Sequence, residues 1–95
     1  MSTEKTKEQD SKSHWYTYIL QCADSSLYTG VTTDVNRRLQ EHNQDNKKGA
    51  RYTKVRRPVT LVYQEICTDR SSACKREAAI KKLTRQQKLQ LINSK

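Results

Sequence analysis

Three side chains that can take part in chemistry, Tyr28, Arg38 and His42, lie within one short stretch of the sequence. The guanidinium of Arg38 offers a fixed fork of hydrogen-bond donors that suits phosphate oxygens. His42 can transfer a proton or hold a phosphate, and it fits equally well as a surface or capping histidine at the end of a helix. Because residues four apart share neighbouring helix faces, Arg38 and His42 are predicted to point to the same side, toward Tyr28.

Two short runs rich in aromatic and β-branched residues predict an antiparallel hairpin that carries the tyrosine. The runs are His14–Cys22 and Leu27–Val31, with a polar turn between them. Both faces of the first run are largely apolar, which favours a central strand covered on both sides. Gly30 in the second run permits a turn or a close approach of another group. Alternation along the first run places Tyr16, Tyr18 and Leu20 on one face and Trp15, Thr17 and Ile19 on the other.

The remainder of the chain predicts one more strand and three helices. The first helix runs from Asp34 to about Asn43 and is capped by Thr33 or Asp34. The strand is Val59–Ile66, with Val59, Leu61 and Tyr63 on one face. The second helix is Ala73–Leu83, capped by Ser71 or Ser72, and a Thr84–Gln87 capping box opens the last helix. This β-β-α-β-α-α order predicts an α+β domain, a three-stranded antiparallel sheet flanked by helices. We expect one domain at residues 14–95 and a disordered polar tail at residues 1–13.

The formal net charge of +9 favours a polyanionic partner, most simply nucleic acid. Charges within the tail cancel, so the basic excess belongs to the domain. Residues 44–58 are predicted to form a loop that contacts nucleic acid, by phosphate contacts and base stacking. A solvated loop with a packed tyrosine is the alternative, and basic charge could also serve solubility alone. The predicted nucleic-acid contacts are Lys47, Lys48, Arg51, Tyr52, Lys54, Arg56 and Arg57.

Several other classes of protein are disfavoured. Three widely spaced cysteines predict reduced thiols in a cytoplasmic protein. No apolar run is long enough to span a membrane, and the polar N-terminus does not resemble a secretory signal. The two histidines and the scattered cysteines lack zinc-site spacing, and no Walker, Rossmann or nucleophile-elbow pattern is present.

Glu77 is the carboxylate of greatest interest, because Ala73 and Ile80 flank it on the face of its predicted helix that should meet the sheet. A carboxylate near a core needs a cationic partner, a metal ion or a proton. An ion pair with a nearby lysine or arginine is the simpler explanation. Mg²⁺ takes few protein carboxylates and keeps several waters, so a single glutamate is enough to place it.

The two tyrosine-containing runs resemble the two halves of the GIY-YIG nuclease motif. Tyr16-Thr17-Tyr18 is similar to the first half, with Tyr16 in place of glycine, and Tyr28-Thr29-Gly30 is similar to the second, with Thr29 in place of isoleucine. Arg38 and Glu77 fall where the active-site arginine and the metal-binding glutamate of the family are expected. The resemblance extends from about His14 to Asn93 and is closest to small stand-alone bacterial members, which are similar to the nuclease domains of flap and junction endonucleases.

The resemblance implies a DNA endonuclease that uses one Mg²⁺ or Mn²⁺ ion, held by Glu77, in DNA repair or recombination. It offers Tyr18 and Tyr28 as the base that activates water. We prefer Tyr18 as the base, with Tyr28 orienting the water or binding the phosphate. We expect a monomer that acts on branched or flapped DNA, with activity that could need a protein partner. The alternative is a non-catalytic nucleic-acid-binding module or a partner in a repair complex. Arg38 and His42 complete the expected catalytic residues. Tyr16, Gly30 and Asn93 are further candidates for the site.

Overall fold

The computed structural model of the 95-residue chain describes residues 14–94. The polar tail predicted to be disordered, residues 1–13, lies outside the described residues, as does Lys95. The elements follow the order β-β-α-α-β-α-α, which adds one short helix to the predicted order. They are β1 (Trp15–Gln21), β2 (Leu27–Thr32), α1 (Val35–Gln44), α2 (Arg51–Lys54), β3 (Thr60–Cys67), α3 (Arg70–Lys81) and α4 (Arg85–Asn93).

The three strands form one antiparallel sheet in the order β2-β1-β3, so the aromatic first strand is central. This arrangement confirms the predicted α+β class and the predicted hairpin. Tyr18 of β1 lies opposite Gly30 of β2 and opposite Gln64 of β3. The hairpin turn is held by the carboxylate of Asp24, whose Oδ1 accepts hydrogen bonds from the backbone and the hydroxyl of Ser26 at 3.0 and 2.6 Å.

A β-bulge in β3 corrects the predicted alternation of that strand. Ile19 pairs with Tyr63 whereas Leu20 pairs with Leu61, so Val62 is an extra residue on the β3 side. One inserted residue moves every following side chain to the opposite face of the sheet. Tyr63 therefore packs on the Ile19 face, and the prediction that it shares a face with Leu61 is wrong.

Apolar clusters cover both faces of β1, as its two-sided apolar pattern predicted. The cluster on the Tyr18 face is joined by Leu39 of α1. The opposite face carries Ile19, which packs against Ile80 of α3 and residues of α4. The buried hydroxyl of Thr17 donates a hydrogen bond to the carbonyl oxygen of Ala73 at 3.0 Å, so α3 is fixed to the sheet by a polar contact as well.

The helices begin at side chains that accept hydrogen bonds from the first turn. Asp34 caps α1 through a 3.0 Å bond from the backbone N–H of Arg37, and the predicted Thr84–Gln87 capping box is present at α4. The predicted serine cap of α3 is wrong. Asp69 accepts from the N–H of Ser72 at 2.8 Å, so this helix starts earlier than the apolar pattern indicated. None of the helices within residues 14–94 is both long and apolar enough to cross a membrane.

Residues 44–58 are not the irregular loop that was predicted, because they contain helix α2. The backbone N–H of Lys54 donates to the carbonyl oxygen of Ala50 at 2.9 Å, which closes one helical turn. Thr53 of this turn is fully buried against α1, so packing stabilises a helix that is too short to be stable alone. The helix follows Gly49, close to the C-terminal end of α1.

Candidate active site

The candidate site is built around Tyr18, which is only 2% exposed. Its ring packs over the neighbouring residue of β2. That neighbour is Gly30. A Cβ atom at position 30 would lie 2.6 Å from the hydroxyl oxygen and 2.8 Å from Cζ of Tyr18. Both distances are below any normal contact, so only glycine leaves room for the tyrosine ring. The glycine of the second half-motif is therefore explained by close packing against the tyrosine of the first.

His42 of α1 is fully buried and forms a hydrogen bond with Tyr18, with 2.9 Å between Nε2 and the hydroxyl oxygen. Its other ring nitrogen, Nδ1, lies 2.8 Å from the hydroxyl oxygen of Thr53 in α2. The interpretation of His42 as a surface or capping histidine is therefore wrong. An amphipathic helix directs this side chain into the protein, where burial makes both hydrogen bonds necessary.

The surroundings hold both members of this pair in their neutral forms. Burial raises the pKa of Tyr18 to about 12, and the nearby charges of Tyr28 and Glu77 act in the same direction, against the lowering effect of Arg38. Burial lowers the pKa of His42 to about 4, and the positive charges of Arg38 and Arg57 lower it further. At neutral pH the pair is therefore a phenol beside a neutral imidazole.

Tyr28, the second motif tyrosine, lies on the same side of the sheet and is more accessible than Tyr18. Its ring meets His42 edge to face, with 5.1 Å between the ring centroids. It also stacks on Tyr52 of α2, at 6.0 Å and an interplanar angle of 26°. The two motif tyrosines thus contact the same histidine, one by a hydrogen bond and the other through its ring.

Arg38 projects from α1 with its side chain one-quarter exposed. Its Nη1 donates to Oε1 of Glu41 at 2.9 Å and to the carbonyl oxygen of Lys48 at 2.7 Å. Its positive charge also lowers the pKa values of both Tyr18 and His42. Glu41 and the Lys48 carbonyl hold the guanidinium in place, and neither was predicted as part of the site.

Glu77 comes from α3, which packs on the opposite face of β1, yet its charge acts on Tyr18. Its Oε2 forms an ion pair with Nζ of Lys81 at 3.2 Å, the contact expected under the simpler explanation. Among residues 14–94 there is no group of three or more histidine, cysteine or acidic side chains that could hold a metal ion. A half-buried single carboxylate fits the way Mg²⁺ binds proteins, by few carboxylates and several waters, and does not fit zinc.

The basic residues predicted to contact nucleic acid fall into two groups. The exposed group points to solvent and is available to a ligand; it comprises Lys47, Lys48, Arg51 and Lys54. The second group is engaged within the protein. Arg56 bonds to Asp24 at 3.1 Å and lies 3.9 Å over the ring of Tyr52. Arg57 donates to the carbonyl oxygens of His42 and Asp45, at 2.6 and 3.1 Å, and to Asn46 at 2.9 Å.

These contacts change the interpretation of Tyr52, Arg56 and Arg57. The ring of Tyr52 packs on Tyr28 and under Arg56, so the structure gives it intramolecular stacking partners in place of a base. Arg57 fastens the segment after α2 to the C-terminal end of α1, where backbone carbonyl groups accept its hydrogen bonds. It therefore has a structural role that a search for basic residues could not distinguish from a role in binding.

Two other predicted positions, Tyr16 and Asn93, lie apart from the Tyr18–His42 pair. Tyr16 lines a separate groove with His14 and Asn36, near the start of α1. Tyr18 is the tyrosine of the first half-motif that contacts His42, whereas Tyr16 pairs with Thr32 and Ile66 across the sheet. Asn93 is exposed at the last turn of α4.

The fold and this cluster together define a small α+β catalytic domain of the nuclease type. Residues 14–90 match the family model described as the GIY-YIG catalytic domain. The chain therefore belongs to the GIY-YIG family, which confirms the resemblance seen in its sequence. Nucleases of this family generally use a divalent metal ion and act on DNA.

Similar proteins have been identified in several bacteria. The UPF0213 protein DP2720 of Desulfotalea psychrophila is 58% identical over 80 residues, which cover 84% of this chain and 72% of that protein. A UPF0213 protein of Staphylococcus epidermidis is 60% identical over 77 residues, covering 81% of this chain and 92% of the relative. The solution NMR structure of the UPF0213 protein BH0048 from Bacillus halodurans superimposes with a TM-score of 0.56 at 43% identity, covering 86% of this chain and 85% of that one. These relatives support the family and the fold.

Proposed function

We propose that this protein is a divalent-metal-dependent endonuclease that hydrolyses phosphodiester bonds of branched or flapped DNA, in repair or recombination. The observation that carries the proposal is the buried hydrogen bond between Tyr18 and His42, with Arg38 beside it, in a GIY-YIG catalytic domain. A buried polar pair of this kind costs stability unless both groups are satisfied, and it is typical of sites where protons move. The cytoplasm is the proposed location.

Hydrolysis of a phosphodiester requires an activated water, neutralisation of the charge that develops on the phosphate, and a stabilised leaving oxygen. Arg38 would supply the fixed positive charge, since its guanidinium is held by Glu41 and the Lys48 carbonyl. Glu77 would hold the divalent cation, Mg²⁺ or Mn²⁺, after giving up its ion pair with Lys81. Such an ion lowers the pKa of water and polarises the phosphate.

Tyr18 is the proposed base, and its pKa of about 12 decides how it can act. A phenol that keeps its proton at neutral pH accepts a second proton only if it releases the first. His42 Nε2 is 2.9 Å from the hydroxyl oxygen and provides a place for that proton. The O–H bond of Tyr18 would break as a bond to His42 Nε2 forms and as the oxygen takes a proton from water.

The low pKa of His42, about 4, shows that the unliganded protein disfavours this transfer. A bound phosphodiester brings a negative charge close to the site, and a nearby negative charge raises the pKa of histidine. Substrate binding would therefore favour the proton-accepting form of His42. Tyr28, which is more exposed and in ring contact with His42, would orient the water or contact the phosphate.

The exposed basic residues at the end of α1 and on α2 would contact the DNA backbone. Phosphate contacts by lysine and arginine release counterions, so this part of the binding should weaken steeply with salt. These side chains carry no sequence information by themselves, which is consistent with recognition of DNA structure. The residues concerned are Lys47, Lys48, Arg51 and Lys54.

The proposal can be tested with the purified full-length protein and labelled flap, forked, nicked and linear DNA, in Mg²⁺, Mn²⁺ or EDTA. We expect cleavage that needs the metal ion, is strongest on a branched substrate and is lost in Glu77→Gln and Tyr18→Phe. Glu65→Gln is a matched control, because Glu65 is a similarly half-buried carboxylate with an ion-pair partner of its own, Arg76. Cleavage that persists in EDTA would refute the metal-dependent mechanism. Salt-sensitive DNA binding without scission in any metal would establish a non-catalytic binding module.

A further inference from the structure

Thr53 is a fully buried residue that no part of the family motif indicated. Its hydroxyl oxygen lies 2.8 Å from Nδ1 of His42 and 3.0 Å from the carbonyl oxygen of Ala50. With the Tyr18–His42 bond, these contacts form a continuous buried chain of hydrogen bonds that starts at Tyr18 and ends at the backbone of α2. No buried side-chain nitrogen or oxygen among residues 14–94 lacks a hydrogen-bond partner.

The donor and the acceptor of each hydrogen bond in this series follow from its last member, the carbonyl oxygen of Ala50. A carbonyl oxygen only accepts hydrogen bonds, so the single hydroxyl proton of Thr53 is donated to Ala50. The same hydroxyl oxygen must then accept from His42, which places the imidazole proton on Nδ1. Neutral imidazole has one N–H, so Nε2 carries a lone pair and accepts the proton of Tyr18.

We propose that Thr53 is a positioning residue that fixes the tautomer of His42, so that Nε2 stays free to take the proton of Tyr18. In the opposite tautomer Nε2 would carry a proton and could not accept another, and Nδ1 and the carbonyl oxygen of Ala50 would compete for the one hydroxyl proton of Thr53. The backbone of α2 therefore sets the protonation state of a side chain on α1. The consequence for catalysis rests on the proposed function, whereas the tautomer itself does not.

The tautomer can be read directly from the ¹⁵N chemical shifts of the histidine rings in the full-length protein near pH 7.5, without DNA. The protein has two histidines, and a His14→Gln sample identifies the signals of the other. We expect a protonated Nδ1 and an unprotonated Nε2 for His42. A protonated Nε2 in the parent protein overturns the proposal, whatever the activity of the protein.

Two substitutions test the role of the hydroxyl. Thr53→Val has nearly the same shape but no hydroxyl, so Nδ1 of His42 loses its acceptor and we expect the ¹⁵N pattern to change. Thr53→Ser keeps the hydroxyl and should restore the parent pattern. If both variants show the parent spectrum, the hydroxyl does not set the tautomer and the proposal fails.

Single-turnover cleavage at saturating DNA then connects the tautomer with the chemistry. Loss of a group that orients a histidine commonly costs about 10-fold to 100-fold, so we expect a fall of that size for Thr53→Val, with DNA affinity unchanged. Thr53→Ser should recover most of the rate. A parent-like rate for Thr53→Val with a changed spectrum would overturn the catalytic consequence. A parent protein that cleaves no DNA would refute the proposed function but leave the spectroscopic result intact.

Discussion

Acid should destabilise this protein through His42 well before its carboxylates are protonated. The pKa of His42 is lowered from its ordinary 6.5 to about 4 by burial and by the charges of Arg38 and Arg57. The unfolded chain therefore takes up a proton at this residue as the pH falls below 6.5, whereas the folded chain does so only near pH 4. The stability contributed by the neutral histidine is complete above pH 6.5, decreases from there toward pH 4, and is lost below it.

The size of the effect follows from the same two values. The difference between 6.5 and about 4, at 1.36 kcal/mol for each pKa unit, corresponds to about 3 kcal/mol when the loss is complete. At pH 5 the unfolded chain is almost fully protonated at this residue and the folded chain is not, so about 2 kcal/mol should already be lost. That is a large share of the roughly 5–15 kcal/mol of a typical domain.

Urea unfolding followed by circular dichroism at pH 7.5, 6.5, 5.5 and 5.0 measures this loss. The matched variant is His42→Gln, which can keep hydrogen bonds but does not titrate in this range. We expect the free energy of unfolding of the parent to fall by about 2 kcal/mol more than that of the variant between pH 7.5 and pH 5. Equal pH dependence in the two proteins would show that His42 is not held neutral by the fold.

Three further predictions concern the packing of Gly30, the hydrogen bonds of Arg57 and the exposed basic charges. Gly30→Ala should cost about 1–3 kcal/mol of stability and most of the cleavage activity, because the new Cβ atom would lie 2.6 Å from the Tyr18 hydroxyl oxygen. Thermal melting and cleavage like those of the parent protein would contradict this packing. Arg57→Ala should lower the free energy of urea unfolding by about 2–3 kcal/mol through loss of its hydrogen bonds to α1 and the segment after it, whereas the exposed Lys54→Ala should change it by less than about 0.5 kcal/mol. Equal effects would show that Arg57 is not a structural clamp. The third variant removes three exposed charges by Lys47→Ala, Arg51→Ala and Lys54→Ala. It should reduce the slope of the logarithm of the DNA binding constant against the logarithm of salt concentration by about two to three, with folding unchanged. An unaltered slope would place the DNA path elsewhere.

The sheet and most of the helices could be predicted because their signals are local. The run from Trp15 to Gln21 is apolar on both faces and occupies the central strand, where both faces are covered. The capping box at Thr84 depends on two side chains within one turn, and it is present as predicted. The bulge at Val62 could not be predicted, because an extra residue in β3 is defined only by its pairing with β1. Its consequence, the reversed face of Tyr63, follows from that pairing alone.

The site residues also differ in whether local sequence or long-range packing reveals them. Residue type and spacing singled out Tyr28, Arg38 and His42, and the resemblance to the family added Tyr18. The structure brings Tyr18, Tyr28 and Arg38 together around His42. Thr53 carried no signal, because a threonine in a polar segment has many ordinary explanations. Its importance arises from a contact across eleven positions that only the packing of α2 on α1 creates.

Helix α2 is what joins the proposed DNA-binding surface to the chemistry. Thr53 points inward from this single turn and holds His42, while the adjacent Tyr52 points outward and stacks on Tyr28. A DNA strand bound by the exposed charges of the same turn would therefore lie within a few residues of the groups that set the histidine tautomer and the position of the second tyrosine. Because a helix of four residues depends on its contacts for stability, we expect changes that disrupt this turn to affect DNA binding and cleavage together. The charges that make this connection are those of Arg51 and Lys54.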